Sequence, residues 1–114
     1  MATKAKKFSE MSSEHQWEIT KNLGTAAAKK TRWAFYPKFP TEEAAVMADE
    51  VYVMISDRRV RDVVLGLEAG GEFRPILMDG LGEDVNEFWM EGIHRTTAAV
   101  ELGLKTVPAF IRTE

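Results

Sequence analysis

Apolar positions recur at helical spacing in two stretches of the first half of the chain. Residues 13–16 match the S-x-x-Q capping box, which predicts a helix from there to about residue 30. Gly24 weakens this helix by ~1 kcal/mol relative to alanine, so a break there stays open. Thr41 is predicted to cap a second helix, with acids in its first turn. The two apolar stripes are Trp17, Thr20, Leu23 and Ala27, and then Ala44, Ala48, Val51, Tyr52 and Ile55.

Between these helices lies an aromatic segment, residues 33–36, which is followed by Pro37 and Pro40. Prolines interrupt regular structure, so they are expected to end the segment. The pattern is compatible with a short strand or with an ordered loop.

A third helix has the clearest pattern in the chain. Ser56 is predicted to cap it, and Gly70-Gly71 to stop it. Its apolar stripe follows the full i, i+3, i+4, i+7 spacing and consists of Val60, Val63, Val64 and Leu67.

After this helix the apolar period shortens. Residues 75–78 predict a strand that starts with proline, where no ladder donor is lost. Residues 79–86 resemble a hairpin loop, and residues 88–90 predict a second strand that Gly92 interrupts. A helix is predicted from near His94, with its inward side chains and stop formed by Ala98, Ala99, Leu102 and Gly103. Residues 107–111 predict a last strand.

This order of elements predicts an α/β (α+β) fold: a small mixed sheet with packed helices. We expect one compact domain in three parts. Residues 1–11 are a flexible basic lead, residues 12–55 a mainly helical N-terminal elaboration, and residues 56–114 the core.

Composition limits the function classes. The chain has 114 residues, 45% of them hydrophobic and 29% charged, which fits one globular domain. It has no cysteine, which excludes disulfides and cysteine catalysis and fits a reducing, cytoplasmic setting. No apolar run approaches the roughly 20 residues of a membrane span, so no membrane partner is expected.

The net charge of −3 is unevenly distributed. Residues 1–40 carry eight Lys/Arg and three Glu, whereas residues 41–114 carry seven Lys/Arg and fifteen Asp/Glu. A nucleic-acid partner would therefore meet the first part most easily. A solvated, disordered lysine tail is the alternative interpretation.

The segment from Glu91 to Arg95 carries the clearest candidate chemistry. A strand that ends at a helix start presents unpaired amides and a positive dipole end, and Gly92 allows close approach of a ligand. Arg95 supplies a planar fork suited to phosphate, and His94 a second donor. The predicted phosphate-binding residues are Gly92, Ile93, His94, Arg95 and Thr96. Alternatively, Gly92 makes only a tight turn, His94 caps the helix and Arg95 pairs with a surface acid.

The wider pattern resembles the ParB/sulfiredoxin-like family, over about residues 56–112. The resemblance rests on Pro75-Ile-Leu-Met, on Glu91-Gly-Ile-His-Arg95, and on residues 98–111, Ala-Ala-Val-Glu-Leu-Gly-Leu-Lys-Thr-Val-Pro-Ala-Phe-Ile. In that family a G-x-[HR]-R turn follows a strand and opens a helix, and an LG-x-x-x-(I/V)P segment leads into the next strand.

The resemblance implies nucleotide chemistry. The turn binds the phosphates of CTP in ParB-type members and of ATP in sulfiredoxins, so a nucleoside tri- or diphosphate with Mg²⁺ is expected here. In related free-serine kinases an acid before the glycine helps phosphoryl transfer, and Glu91 stands at that position as the candidate catalytic residue. Two departures matter. Ile93 replaces the sulfiredoxin cysteine, which excludes that chemistry, and His94 replaces the arginine of ParB clamps. No helix-turn-helix region follows, so partition-complex function is not expected.

Other candidate residues have weaker patterns. Arg58, Arg59, Arg61 and Arg74 can add phosphate contacts or form a solvated helix face. Asp79, Glu83, Asp84 and Glu87 lack calcium-loop spacing and fit an acidic loop better than a metal site. Trp17, Trp33, Phe35 and Tyr36 can stack on bases or fill the core.

Three functions remain open at this stage. The first is a nucleotide- or nucleic-acid-associated (DNA-binding) domain that uses the Gly92–Arg95 turn. The second is a non-catalytic protein-binding or inhibitory protein of phage or mobile-element type, which meets its partner through residues 13–40. The third is a metal-dependent nuclease or phosphotransferase with Glu91 as general base or metal ligand.

Overall fold

The computed structural model describes residues 5–22, 32–49, 55–79 and 90–113. Over these ranges the fold is α+β, with helices packed on a mixed sheet, as the sequence predicts. The strands are β1 (Lys6–Lys7), β2 (Arg32–Pro40), β3 (Ile76–Asp79), β4 (Met90–Glu91) and β5 (Thr106–Thr113). The helices are α1 (Ser13–Asn22), α2 (Thr41–Asp49), α3 (Asp57–Glu68) and α4 (Ile93–Glu101), and a 3₁₀ turn covers Phe8–Glu10.

The sheet has the strand order β1-β2-β5-β3-β4. β3 runs parallel to β5, and the other described pairs are antiparallel. α4 follows β4 and leads into β5, so the Gly92 turn lies at one border of the sheet. β3 and β4 pair antiparallel, as the predicted hairpin requires, whereas the loop between them, residues 80–89, lies outside the described residues.

Alternation along the strands separates two apolar layers, because successive strand residues point to opposite faces. On β3, Leu77 faces the layer beneath α1, whereas its neighbours on both sides face α2 and α4. Buried residues of the α1 layer are Phe8, Ile19, Trp33, Leu77 and Phe110. Those of the other layer include Phe39, Ala44, Ile76, Met78, Ile93, Ala99, Val107 and Ala109. The sheet therefore has helices on both faces, and α3 packs against α4 from outside.

The aromatic segment at residues 33–36 belongs to a nine-residue strand, and Pro37 does not end it. Tyr36 pairs with Ala109 and Phe39 with Val107, so two residues, Pro37 and Lys38, oppose the single Pro108. This is a β-bulge, which accommodates prolines because the ladder is already interrupted there. The region expected to be mainly helical thus contributes a long strand to the sheet.

Residues 5–11 belong to the stretch expected to be a flexible lead, but the structure packs them into the fold. Lys6 and Lys7 pair with β2, and the following Phe8 is buried in the α1 layer. Burial of one aromatic side chain contributes about 1.5–3 kcal/mol, which offsets part of the entropy lost by ordering the short segment.

The predicted helix limits agree with the structure to different degrees. α1 ends at Asn22 as described, and residues 23–31 lie outside the described ranges, as do Val51 and Tyr52 of the second stripe. Thr41 is the first residue of α2 rather than a side-chain cap, and its buried hydroxyl has no partner among the described residues. α3 and α4 begin within one residue of their predicted starts.

Candidate functional site

Two side chains, those of Ser56 and His94, accept hydrogen bonds from main-chain amides at the N-terminus of α3. Ser56 caps it as predicted: its Oγ accepts a hydrogen bond from the Arg59 amide at 3.3 Å. The Ser56 amide donates in turn to Nε2 of His94 on α4, at 3.0 Å. Two of the donors at this helix start are therefore satisfied within the protein.

The N-terminus of α4 is built differently. Its N-cap is Gly92, which has φ +99° and offers no side-chain acceptor. The first main-chain bond of the helix runs from the Thr96 amide to the Gly92 carbonyl at 2.9 Å. The amides of residues 93–95 precede this bond, so they belong to the donors that a helix leaves without an intrahelical partner.

Glycine is required at position 92 for a structural reason. A Cβ there would lie 2.7 Å from Cγ2 of Ile76 and 3.1 Å from Nη2 of Arg95. The positive φ adds strain for any side chain. Close packing of the turn on β3 and on the guanidinium is thus one reason for this glycine, alongside the ligand approach expected from the sequence.

Arg95 anchors the chain that leads into β3. Its Nη1 donates to the carbonyl oxygens of Arg74 and Pro75 at 3.2 and 2.7 Å. In the described ranges, no protein acceptor takes a hydrogen bond from Nε or Nη2, and both atoms lie beside Gly92. The guanidinium is therefore held by main-chain oxygens on one side and keeps donors on the other.

Electrostatics at Arg95 favour an anion. Burial lowers the pKa of its guanidinium, and the nearby positive charge of Arg74 lowers it further. Glu18 and Glu91 oppose this shift through their negative charge. A guanidinium stays protonated at neutral pH regardless, so the lowered pKa marks a cation that has lost water without full compensation.

His94 has a role that the sequence did not show. Because Nε2 accepts from the Ser56 amide, that nitrogen carries no proton and cannot donate to a phosphate. Nδ1 is the nitrogen left to donate. His94 thus joins the start of α3 to the start of α4.

Ile93 and Thr96 take structural positions. The Ile93 side chain is buried in the α2–α4 layer, which leaves its amide as its contribution to a ligand. Both the hydroxyl and the amide of Thr96 donate to the Gly92 carbonyl, at 2.9 Å each, and the residue is fully buried. Thr96 therefore stabilises the turn and offers no donor to a phosphate.

A cleft of about 560 Å³ lies between α3 and the Gly92 turn. Glu91, Gly92, His94 and Arg95 line one side of it, and residues 71–74 line it as well. The side formed by α3 consists of Arg59, Asp62, Val63, Gly66 and Leu67. Three of the five predicted phosphate-binding residues, Gly92, His94 and Arg95, therefore line one cavity together with Glu91. Two of the four additional arginines, Arg59 and Arg74, line it as well.

Arg74 connects the cleft to α1. Its Nη2 lies 3.4 Å from Oε2 of Glu18, and its guanidinium carbon lies 6.0 Å from the centre of the Trp17 ring. Nε of Arg74 is buried without a partner among the described residues. Trp17 itself is 55% exposed, and Nζ of Lys21 lies 4.4 Å from its ring centre.

The remaining sequence candidates lie elsewhere. Arg61 lines a separate depression with Asp57 and Glu101. Trp33 is buried and Phe35 packs against the core, so neither ring is available for a base. The acids at 83, 84 and 87 lie outside the described residues. Within the described ranges, no group of three His, Asp or Glu side chains is placed to hold a metal ion.

Sequence reasoning missed Val63, Gly66, Gly71 and Phe73 as cleft residues. One local signal pointed to Gly66: it is a glycine in the interior of an otherwise regular helical pattern.

No protein-family model, curated protein or solved structure matches this chain. The resemblance to the ParB/sulfiredoxin-like family therefore stays a prediction from the quoted motifs. In the described part of the chain, no helix is long and apolar enough to cross a bilayer.

Proposed function

We propose that this protein binds a nucleotide, free or as part of a nucleic acid, with its phosphates against the Gly92–Arg95 turn. The observation that carries the proposal is the cleft, which places the start of α4 opposite Arg59 and beside Arg95 and Arg74. The phosphate would accept from Nε and Nη2 of Arg95 and from the first amides of α4. A ParB-like relationship and a bound Mg²⁺ belong to the same proposal.

Binding free energies indicate that a nucleotide needs contacts from the whole cleft. Micromolar affinity requires about 8 kcal/mol. A charged hydrogen bond contributes about 1.5–3 kcal/mol and a helix terminus about 0.3–1 kcal/mol. The turn with Arg95 alone falls short of this sum, whereas Arg59 and Arg74 can add the missing contacts.

Two arginines on the same helix provide a matched test. Arg59 and Arg61 are both exposed on α3, but Arg59 lines the cleft and Arg61 lines the separate depression. Titration of the wild-type chain with CTP, ATP and tripolyphosphate in the presence of Mg²⁺ should show binding. Arg59→Ala should weaken it about tenfold or more, the equivalent of one charged hydrogen bond, and Arg61→Ala should change it less than about twofold.

Thermal unfolding gives an independent measurement. At one hundred times the dissociation constant, a ligand stabilises the fold by about 2.7 kcal/mol, which raises Tm by several degrees. The proposal is rejected if no nucleotide, polyphosphate or oligonucleotide raises the Tm. It is also rejected if Arg95→Ala, shown to be folded by circular dichroism, retains the full shift.

An enzymatic role is a second candidate, because Glu91 lines the same cleft next to Gly92. In a nuclease or phosphotransferase, its carboxylate would accept a proton or bind the metal ion. Metal-dependent turnover that disappears in Glu91→Gln, with unchanged ligand affinity, would support this role. Turnover that persists in that variant would remove Glu91 from it.

A non-catalytic protein-binding role is a third candidate, favoured by the exposed indole of Trp17 beside Lys21. Large aromatic side chains are enriched at interfaces relative to the rest of a protein surface. A partner captured by the wild type and by Arg95→Ala, but lost in Trp17→Ala, would favour this role over nucleotide binding.

A further inference from the structure

The C-terminal ends of α3 and α4 use the same main-chain motif with different side chains. In α3 the Gly71 amide donates to the Gly66 carbonyl at 2.9 Å, and the Gly70 amide to Leu67 at 3.1 Å. In α4 the equivalent bonds run from Leu104 to Ala99 and from Gly103 to Val100. Both ends are Schellman motifs, in which the residue after the left-handed glycine faces the residue five positions earlier.

These facing positions normally hold an apolar contact. α4 has apolar residues at both positions, Leu104 and the buried Ala99. α3 has a glycine at both positions, Gly66 and Gly71, and both line the cleft. The contact that usually closes such a helix end is therefore replaced by open space inside the cavity.

The two glycines are not equivalent. A Cβ on Gly71 would lie 2.8 Å from the Gly66 carbonyl oxygen, so the main chain itself requires glycine there. A Cβ on Gly66 would meet no described residue within 4 Å. Helix formation disfavours glycine relative to any other residue except proline. Neither backbone conformation nor crowding therefore explains the glycine at position 66.

The cleft has an apolar part and a cationic part. Val63, Leu67 and Phe73 line it together with the two glycines, as do the acids Asp62 and Glu72, whereas Arg59, Arg74 and Arg95 form its cationic part. Bare phosphate would use only the cationic side of the 560 Å³ cavity. The space therefore fits a flat, largely apolar group that carries hydrogen-bond donors on its edge.

We infer that the Gly66–Gly71 end of the cleft is a subsite for the nucleobase of the ligand, and that Gly66 is a specificity-determining residue. The inference rests on the proposed phosphate site at the other side of the cleft. The base packs against Phe73 and the α3 side chains, and its exocyclic amino group donates to Asp62 or Glu72.

Filling the space tests the subsite. Gly66→Leu adds a side chain where the structure has room, and its Tm should not fall, because leucine favours helix more than glycine does. Ala69→Leu is the matched control: it adds a similar uncharged side chain at an exposed position three residues later that does not line the cleft. Calorimetric titration with CTP, ATP and tripolyphosphate, each with Mg²⁺, is compared for the wild type and both variants.

In the wild type, at least one nucleotide should bind about tenfold or more tightly than tripolyphosphate, as expected for base stacking. Gly66→Leu should remove this advantage and leave tripolyphosphate affinity within about twofold, and Ala69→Leu should retain it. Equal affinities for nucleotides and tripolyphosphate in the wild type would overturn the subsite alone. So would unchanged nucleotide affinity in Gly66→Leu, or loss of tripolyphosphate binding in that variant. If the wild type binds none of these ligands, the proposed phosphate site fails first, and the subsite fails with it.

Discussion

The starts of α3 and α4 are joined by one hydrogen bond, yet they solve the same chemical problem in opposite ways. At α3, the hydroxyl of Ser56 and the imidazole of His94 satisfy main-chain atoms. At α4, a glycine in the left-handed region provides no cap. Unpaired helix donors need another partner, such as water or a ligand. The contrast is between a helix start that protein side chains cap and one whose first amides receive no side-chain cap.

The largest effect is expected from adding one methyl group at the α4 start. Gly92→Ala forces alanine into φ +99° with its Cβ 2.7 Å from Ile76 Cγ2. Strain and overpacking together should lower stability by about 2–4 kcal/mol, or roughly 10 °C in Tm.

Gly103→Ala is the control for this prediction, because Gly103 also has positive φ but its Cβ would meet none of the residues that the structure describes within 4 Å. It should cost only about 1–2 kcal/mol. Equal losses in the two variants would show that contact with β3 does not contribute.

The next effect concerns the link between the two helix starts. His94→Ala removes the acceptor of the part-buried Ser56 amide, which should cost about 1–3 kcal/mol in denaturant unfolding. Val100→Ala on the exposed side of the same helix should stay within about 0.5 kcal/mol. A His94→Ala protein as stable as the wild type would mean that water replaces the imidazole without cost.

A smaller effect is expected at the cap itself. Ser56→Ala removes the oxygen that accepts from the Arg59 amide and should cost about 1 kcal/mol. Ser56→Asp keeps an acceptor and a favourable charge at the helix start, so its stability should remain close to that of the wild type. If both variants lose the same stability, the hydroxyl does not act as a cap.

Hydrogen exchange compares the two helix starts most directly, and it involves the smallest free-energy change of these tests. The Ser56 and Arg59 amides are hydrogen-bonded within the protein, so their hydrogen exchange should be slow with or without ligand. The amides of residues 93–95 should exchange faster and become protected when tripolyphosphate is added. Measurement by NMR would contradict the comparison if both groups were equally protected in the free protein.

Local sequence patterns predicted the elements that depend on neighbouring residues. The cap at Ser56, the helix α3, a strand within one residue of the predicted position of β3 and the last strand follow from spacing and capping chemistry, and the structure confirms them. Of the predicted α3 stripe, only Val60 is buried. The α+β class followed from the order of these elements.

Long-range partners could not be predicted in the same way. Ser56 and His94 are 38 positions apart, and no local pattern states that an imidazole will face that amide. The burial of Phe8 depends on the packed layer beneath α1, and the continuation of β2 past Pro37 depends on a bulge opposite Pro108. The cleft likewise depends on how α3 lies against α4, which spacing alone does not determine.

The prolines at this bulge, Pro37 and Pro108, have a consequence for self-association of the protein. Among the described residues, β1 covers β2 only at Arg32 and Trp33, so the stretch around Pro37 and Lys38 forms an outer margin of the sheet. Proline has no amide hydrogen to donate to an incoming strand. The charged ammonium group of Lys38 disfavours apolar contact with that strand. The bulge thus protects β2, the longest of the described strands, against pairing with a second copy of the protein at high concentration.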